Sequence, residues 1–187
     1  GILDEAFDGI ATAKANAEKN LQNARALFES HLQSVFTQRG EGWLDTALGD
    51  VCNFVRGPFG GSLKKSVFVA KGYAVYEQQH AIYDQFDDVR YFVDTAKFNE
   101  MKRFELHPSD LIMSCSGTMG RVAIVPKGIK RGIINQALLK LTPSTKISNT
   151  YLKAWMESEA FQDALKEYSG GAAIQNVASV KILKEIK

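Results

Sequence analysis

The chain has 187 residues, 45% of them apolar, and a formal net charge of +2, which is enough for a packed core and excludes a disordered protein. No apolar run approaches the roughly 20 residues of a membrane helix, and the N-terminus lacks the charged-then-apolar layout of a secretory signal. A cytoplasmic protein with no membrane partner is expected, and Cys52 and Cys115, far apart and without Cys-x-x-Cys or histidine clusters, read as small buried residues of a reducing compartment.

From Gly1 to Gln38 there is no proline and one internal glycine, Gly9. Apolar or small residues recur at Leu3, Phe7, Ile10, Ala17, Leu21, Ala24, Phe28 and Val35, with the omitted steps on Lys14 and His31. Steps of four and three alternate, a 3.5-residue period that predicts one long helix packed along its length against another helix. At 1.5 Å per residue such a helix extends over about 50 Å, too long to bury its stripe on its own domain. The stripe therefore implies a partner helix, with Ala17 and Ala24 allowing close approach. This segment holds five acidic against three basic side chains, net −2, leaving 20 basic against 16 acidic, net +4, for the remainder. The remainder is thus the half better suited to a polyanion, by a small margin.

"QRGEGW", residues 38 to 43, ends the helix with two glycines and opens a new domain, dividing the chain at 1–38 and 39–187. Short β-rich runs follow at 51–55, 66–70, 73–77, 89–93, 110–114, 121–125 and 132–141. Glycine and proline turns separate many of them, as in a curved, mostly antiparallel sheet. "DTAKFNEMKRFEL" predicts a short helix opened by Asp94 or Thr95. A longer helix after "PSTKISNT" places Tyr151, Trp155, Phe161, Leu165 and Tyr168 on one face and stops at Gly170 and Gly171. The fold class is α+β, with the long helix standing outside the globular domain.

Three stretches carry candidate chemistry. "GPFGGSLKKS", residues 57 to 66, lacks the Gly-x-x-x-x-Gly-Lys-Ser/Thr spacing, which excludes a P-loop. What remains is a loop in which Arg56, Ser62, Lys64 and Lys65 meet phosphates, or a solvated surface loop. "YEQQHAIYDQ", residues 76 to 85, offers Gln78, Gln79 and His80; Gln pairs bidentately with adenine, and the alternative is a polar hairpin. In "SCSGTMGR", residues 114 to 121, the order is not Gly-x-Ser-x-Gly, so a nucleophile elbow is not present. Gly117 and Gly120 there suit positive φ at a corner between strands, with Ser116, Thr118 and Arg121 facing an anion or tying the corner down. None of the three histidines has the context of a catalytic base, and no carboxylate spacing marks a metal site.

Taken in order, the N-terminal helix, "LGDVCNFVRGPFGGSLK", "DLIMSCSGTMGRVAIVP", "GIINQALLKLTP" and "GGAAIQNVASVKILKEIK" resemble the specificity subunit of type I restriction-modification systems over essentially the whole chain. The resemblance implies the central helix plus the second target-recognition domain of such a subunit, as an excised fragment or as a natural half-length subunit that dimerises through the helix. It also implies a non-enzymatic role: one domain reads half of a bipartite double-stranded DNA target. Catalysis then belongs to partners, with S-adenosylmethionine on methyltransferase subunits and ATP and Mg²⁺ on restriction subunits, and no cofactor or metal in this chain. Recognition loops differ between members, so the DNA-contacting set Arg56, Ser62, Lys64, Lys65, Gln78, Gln79, His80, Ser116, Thr118 and Arg121 rests on residue chemistry alone. The alternative, from a different class, is a coiled-coil assembly or scaffold module whose globular domain binds protein.

Overall fold

A computed structural model of the chain describes residues 1–38, 40–168 and 179–187. They form two compact units, Gly1–Trp43 and Leu44–Lys187. The expected helix stop at Gly170 and Gly171, and the first part of the C-terminal "GGAAIQNVASVKILKEIK" stretch, lie outside the described residues.

The first unit is built on helix α1, Ile2–Thr37, which runs without proline and with Gly9 as its one internal glycine. Asp4 and Glu5 in its first turn match the positive end of the helix dipole. None of its residues is buried. Leu3, Phe7, Ile10, Leu21 and Phe28 each stay more than half exposed.

The second unit contains two four-stranded sheets instead of one. Strand β1 is Cys52–Arg56, β2 Phe68–Val69, β3 Tyr73–Tyr76, β4 Tyr91–Val93, β5 Leu111–Ser114, β6 Val122–Ile124, β7 Gly132–Ile134 and β8 Leu138–Pro143. The first sheet runs β1-β8-β5-β6, antiparallel throughout. The second runs β2-β4-β3-β7, antiparallel except for β3 beside β7. Strand alternation assigns each side chain to a layer. Leu111, Met113, Val122, Leu139 and Leu141 face one way and bury Leu152, Met156, Phe161 and Leu165 of two helices, α5 (Asn149–Glu157) and α6 (Glu159–Tyr168). Ile112, Ala123 and Leu138 face the other way and meet Ala74, Tyr76 and Ile134 of the second sheet. The far side of that sheet, Val75, Val93 and Ile133, packs on Leu63, Met101 and Phe98, the last from helix α4 (Thr95–Glu100).

Of the two expected openers Asp94 caps α4, its Oδ1 accepting the Lys97 N–H at 2.7 Å, and the α-helix ends at Glu100, short of the expected run to Leu106, with a 3₁₀ turn at Lys102–Phe104. Two short helices, α2 (Leu48–Val51) and α7 (Val180–Glu185), pack together beside the first sheet and are tied by the Leu48 N–H on the Ile186 carbonyl at 2.8 Å.

Three further expectations change. The long C-terminal helix is two helices, because Ser158 adopts extended geometry and its Oγ bonds back to the Trp155 carbonyl at 2.6 Å. The face this produces buries Leu152 and Met156 and leaves Tyr151 exposed. The run 132–141 breaks into β7 and β8, since the Asn135 Oδ1 captures the Ala137 N–H at 2.9 Å and forms a turn. Residues 78–83 are helix α3 and not a hairpin, closed by Asp84 in the left-handed region at φ 52°.

Candidate nucleic-acid interface

Register fixes which loops share an end. Arg56 at the close of β1 pairs with Leu139, Ser114 at the close of β5 pairs with Leu138, and Met113 pairs with Val122 at the start of β6. In the second sheet Tyr76 closes β3 opposite Ile134 at the close of β7. The β7–β8 connection joins the two sets, and its turn and flanks are fixed by Gly57 N–H on the Leu138 carbonyl, Cys115 N–H on the Ala137 carbonyl and Asn135 N–H on the Tyr76 carbonyl, each at 2.9 Å. The loop after Arg56, helix α3 with Gln78 and Gln79, the 115–121 corner and the 135–137 turn therefore open from one end of both sheets.

Arg56 is partly exposed at this end and has no carboxylate partner among the described residues, while the Cys115 thiol donates to the Met113 carbonyl at 3.3 Å. Burial pushes that thiol up to about 12, opposed in part by the Arg56 charge. Cys115 is thus a neutral buried group, as its sequence context implies, and Arg56 brings an uncompensated positive charge to the mouth of β1.

The corner 115–121 is built as the glycines suggest. Gly117 and Gly120 take φ of +64° and +77°, and a Cβ on Gly120 would also strike the Gln162 side chain at 2.7 Å. The staple is Ser114, which sequence reasoning passed over. Its buried Oγ donates to the Thr118 carbonyl at 2.6 Å and accepts the Arg121 N–H at 3.1 Å. Thr118 and Arg121 are exposed, Ser116 is half-buried and engaged, and the Arg121 charge also acts on Glu157 at the end of α5. Burial raises the Glu157 carboxyl, against the lowering effect of Lys153 first and Arg121 more weakly.

Gln78 and Gln79 are both half-buried. The Gln78 Oε1 is buried without a donor, and the Gln79 Nε2 reaches the Asp88 carbonyl at 3.5 Å. His80 does not belong with them. Its side chain is 1% exposed, its Nδ1 accepts the Glu77 N–H at 2.9 Å, its Nε2 meets the Asp88 carbonyl at 3.0 Å, and its ring stands edge-on to Tyr76. With both nitrogens spent on main chain, His80 holds α3 in place and is withdrawn from the DNA-contacting set.

Ser62 is half-buried in a 3₁₀ turn whose N–H bonds the Phe59 carbonyl at 2.9 Å. Lys64 and Lys65 are exposed and unpaired among the described residues. They lead into β2, whose Phe68 lies opposite Val93, itself opposite Tyr73, so they approach the sheet where β3 begins. The two lysines and the two glutamines thus sit at different ends of a four-residue strand. A second charged cluster, at the opposite end of β5 and β8, is internally satisfied: the Asp110 Oδ1 takes the Thr142 hydroxyl at 2.6 Å and its Oδ2 the His107 N–H at 2.9 Å. Among the described residues no group of three or more His, Cys, Asp or Glu is placed to hold a metal ion, and no helix is long and apolar enough to cross a membrane.

No protein-family model and no curated protein matches the sequence. Solved structures do share the fold. A chain from a structure concerning complex assembly and conformational transition of the type I R-M system superposes with a TM-score of 0.59 at 16% identity, over 95% of this chain and 45% of that one. The HsdS subunit from Thermoanaerobacter tengcongensis gives 0.62 at 14% identity, over 97% and 43%. The S subunit of the type I restriction-modification system from M. genitalium gives 0.51 at 14% identity, over 80% and 34%. The chain spans less than half the length of each of these three structures.

Proposed function

We propose that this chain is a specificity module of a type I restriction-modification enzyme, in which the unit Leu44–Lys187 binds double-stranded DNA and reads one half of a bipartite target. The observation that carries the reading is the convergence of four chain segments on one end of both sheets, where Arg56, Gln78, Gln79, Thr118 and Arg121 are offered together. Arginine there neutralises phosphate and orients the domain, and the amides read base edges in the major groove. Lys64 and Lys65, at the other end of β3, extend the cationic track to flanking phosphates. The likeness of the fold to S subunits supports the same reading.

The module directs chemistry and does not perform it. Adenine methylation falls to partner methyltransferase subunits holding S-adenosylmethionine, and cleavage to restriction subunits using ATP and Mg²⁺. Helix α1, with its apolar stripe exposed along its length, pairs antiparallel with the same helix of a second copy about a two-fold axis. That pairing sets the spacing of two half-sites.

The test is to assemble the chain with its methyltransferase subunits and map methylated adenines in genomic DNA. Gln78→Ala with Gln79→Ala should relax the preference at one or two base pairs while methylation continues. Unchanged specificity would remove both glutamines from the reading. Failure to bind any duplex at low salt with those subunits present would favour a protein-binding scaffold.

A further inference from the structure

The Asn135–Ala137 turn is where the strand ends of both sheets are tied together. Asn135 N–H donates to the Tyr76 carbonyl, the Asn135 Oδ1 takes the Ala137 N–H, and the Ala137 carbonyl takes the Cys115 N–H, all at 2.9 Å. From the other side the Gly57 N–H bonds the Leu138 carbonyl, and a Cβ built on Gly57 would stand 1.9 Å from the Asn135 carbonyl oxygen. The turns at 57 and 135 thus touch backbone to backbone, and neither shifts without breaking bonds to neighbouring strands.

Each turn leaves one side chain outward. Gln136 is exposed, and its amide has no partner among the described residues although the residues on both sides of it are bonded. Phe59 follows the buried Pro58 and is 93% exposed, while its carbonyl is held by the Ser62 N–H at 2.9 Å. A ring so placed adds nothing to the domain's own core. The three glutamines at this end also differ in what they offer. Gln78 has its Oε1 buried and Gln79 leans on the Asp88 carbonyl, so among them Gln136 has both amide groups free.

We propose that Gln136 and Phe59 form a rigid recognition tip for double-stranded DNA. The Gln136 amide makes the paired donor–acceptor contact to a base edge in the major groove, and the Phe59 ring packs on the neighbouring base, where a thymine methyl group is the fitting apolar feature. A side chain mounted on a bonded turn loses little freedom on binding, which favours discrimination over mere adhesion. The inference rests on the DNA-binding reading above and adds two residues to it.

The test is selection from duplex DNA with a randomised core by the full chain, comparing wild type with Gln136→Ala and Phe59→Ala. Both side chains are exposed, so both variants should keep the wild-type unfolding midpoint. Gln136→Ala should lose preference at one base pair by roughly 5- to 150-fold while binding unselected duplex to within about twofold of wild type. Phe59→Ala should weaken preference at an adjacent position. A Gln136→Ala chain that selects the same sequence with undiminished preference, or that loses affinity evenly for every duplex, overturns the tip and leaves the DNA-binding reading standing. A wild-type chain that, with its methyltransferase subunits present, retains no duplex at low salt overturns that reading and the tip with it.

Discussion

The backbone contact between Gly57 and Asn135 makes a sharp claim about Gly57→Ala. The added methyl would lie 1.9 Å from the Asn135 carbonyl oxygen, 2.7 Å from its carbon and 3.0 Å from the Leu138 carbonyl oxygen, and all three are main-chain atoms. No rotamer relieves this, so the two turns must separate by more than about 1 Å before the contact becomes tolerable. Separation stretches the Gly57–Leu138 and Asn135–Tyr76 hydrogen bonds, both 2.9 Å, at about 1 kcal/mol each. Backbone displacement in a packed region adds about 1 to 2 kcal/mol. The sum is about 3 to 4 kcal/mol, or a fall of about 9 to 12 °C in the unfolding midpoint of a domain this size. Gly61→Ala, four residues on with nothing within 4 Å, is the control and should stay within about 0.5 kcal/mol of wild type. Calorimetry or urea unfolding of both variants decides the matter. A Gly57→Ala midpoint indistinguishable from that of Gly61→Ala would refute the rigid platform on which Arg56, Phe59 and Gln136 are placed.

Ser114→Ala removes the hydroxyl that holds the Thr118 carbonyl and the Arg121 N–H and should cost about 1 to 3 kcal/mol in urea unfolding. Burial pushes the Cys52 thiol up to about 11, the Cys115 thiol to about 12, and the Tyr76 hydroxyl to about 12 with help from the Asp87 charge, from ordinary values of 9.0 and 10.0. Above pH 9 the unfolded chain therefore holds fewer protons than the folded one, and stability should fall as pH rises from about 9 to about 12. Replacing both cysteines with Ala should flatten that slope in midpoint-against-pH measurements. Lys64→Ala and Lys65→Ala should each reduce the slope of log affinity for duplex DNA against log salt by about 0.9 without changing sequence preference. If α1 pairs with a second copy as proposed, the wild-type chain should sediment as a dimer and Leu21→Asp, in the exposed stripe of α1, as a monomer, with the unfolding of the second unit unchanged.

Local spacing made several features legible in advance. The 3.5-residue period drew α1 almost to its ends, Asp94 marked the start of α4, and the corner glycines 117 and 120 take the positive φ their context implies. Breaks inside apolar runs were harder to read. "GIINQALLKL" looks like one strand because six of its ten residues are apolar, and only the Asn135 side chain, a known turn former, hinted at the interruption. Ser158 gave a weaker hint still, since serine is tolerated inside helices when its hydroxyl bonds backward. His80 looked available for DNA because composition does not reveal that Glu77 and Asp88 would take both its nitrogens.

The sequence alone determined the kinds of pieces: a long helix with an apolar stripe, short strands, glycine corners and two inert cysteines. These follow from spacing and backbone preference within a few residues. Only the tertiary structure decided that the strands form two sheets, that β3 runs parallel to β7, and that the loops after Arg56, Tyr76, Ser114 and Ile134 share one end. Those pairings join residues tens of positions apart through backbone groups that every residue carries, so side-chain identity does not announce them. The same pairings leave Gln136 and Phe59 facing outward, because exposure depends on which distant segment arrives to cover a side chain.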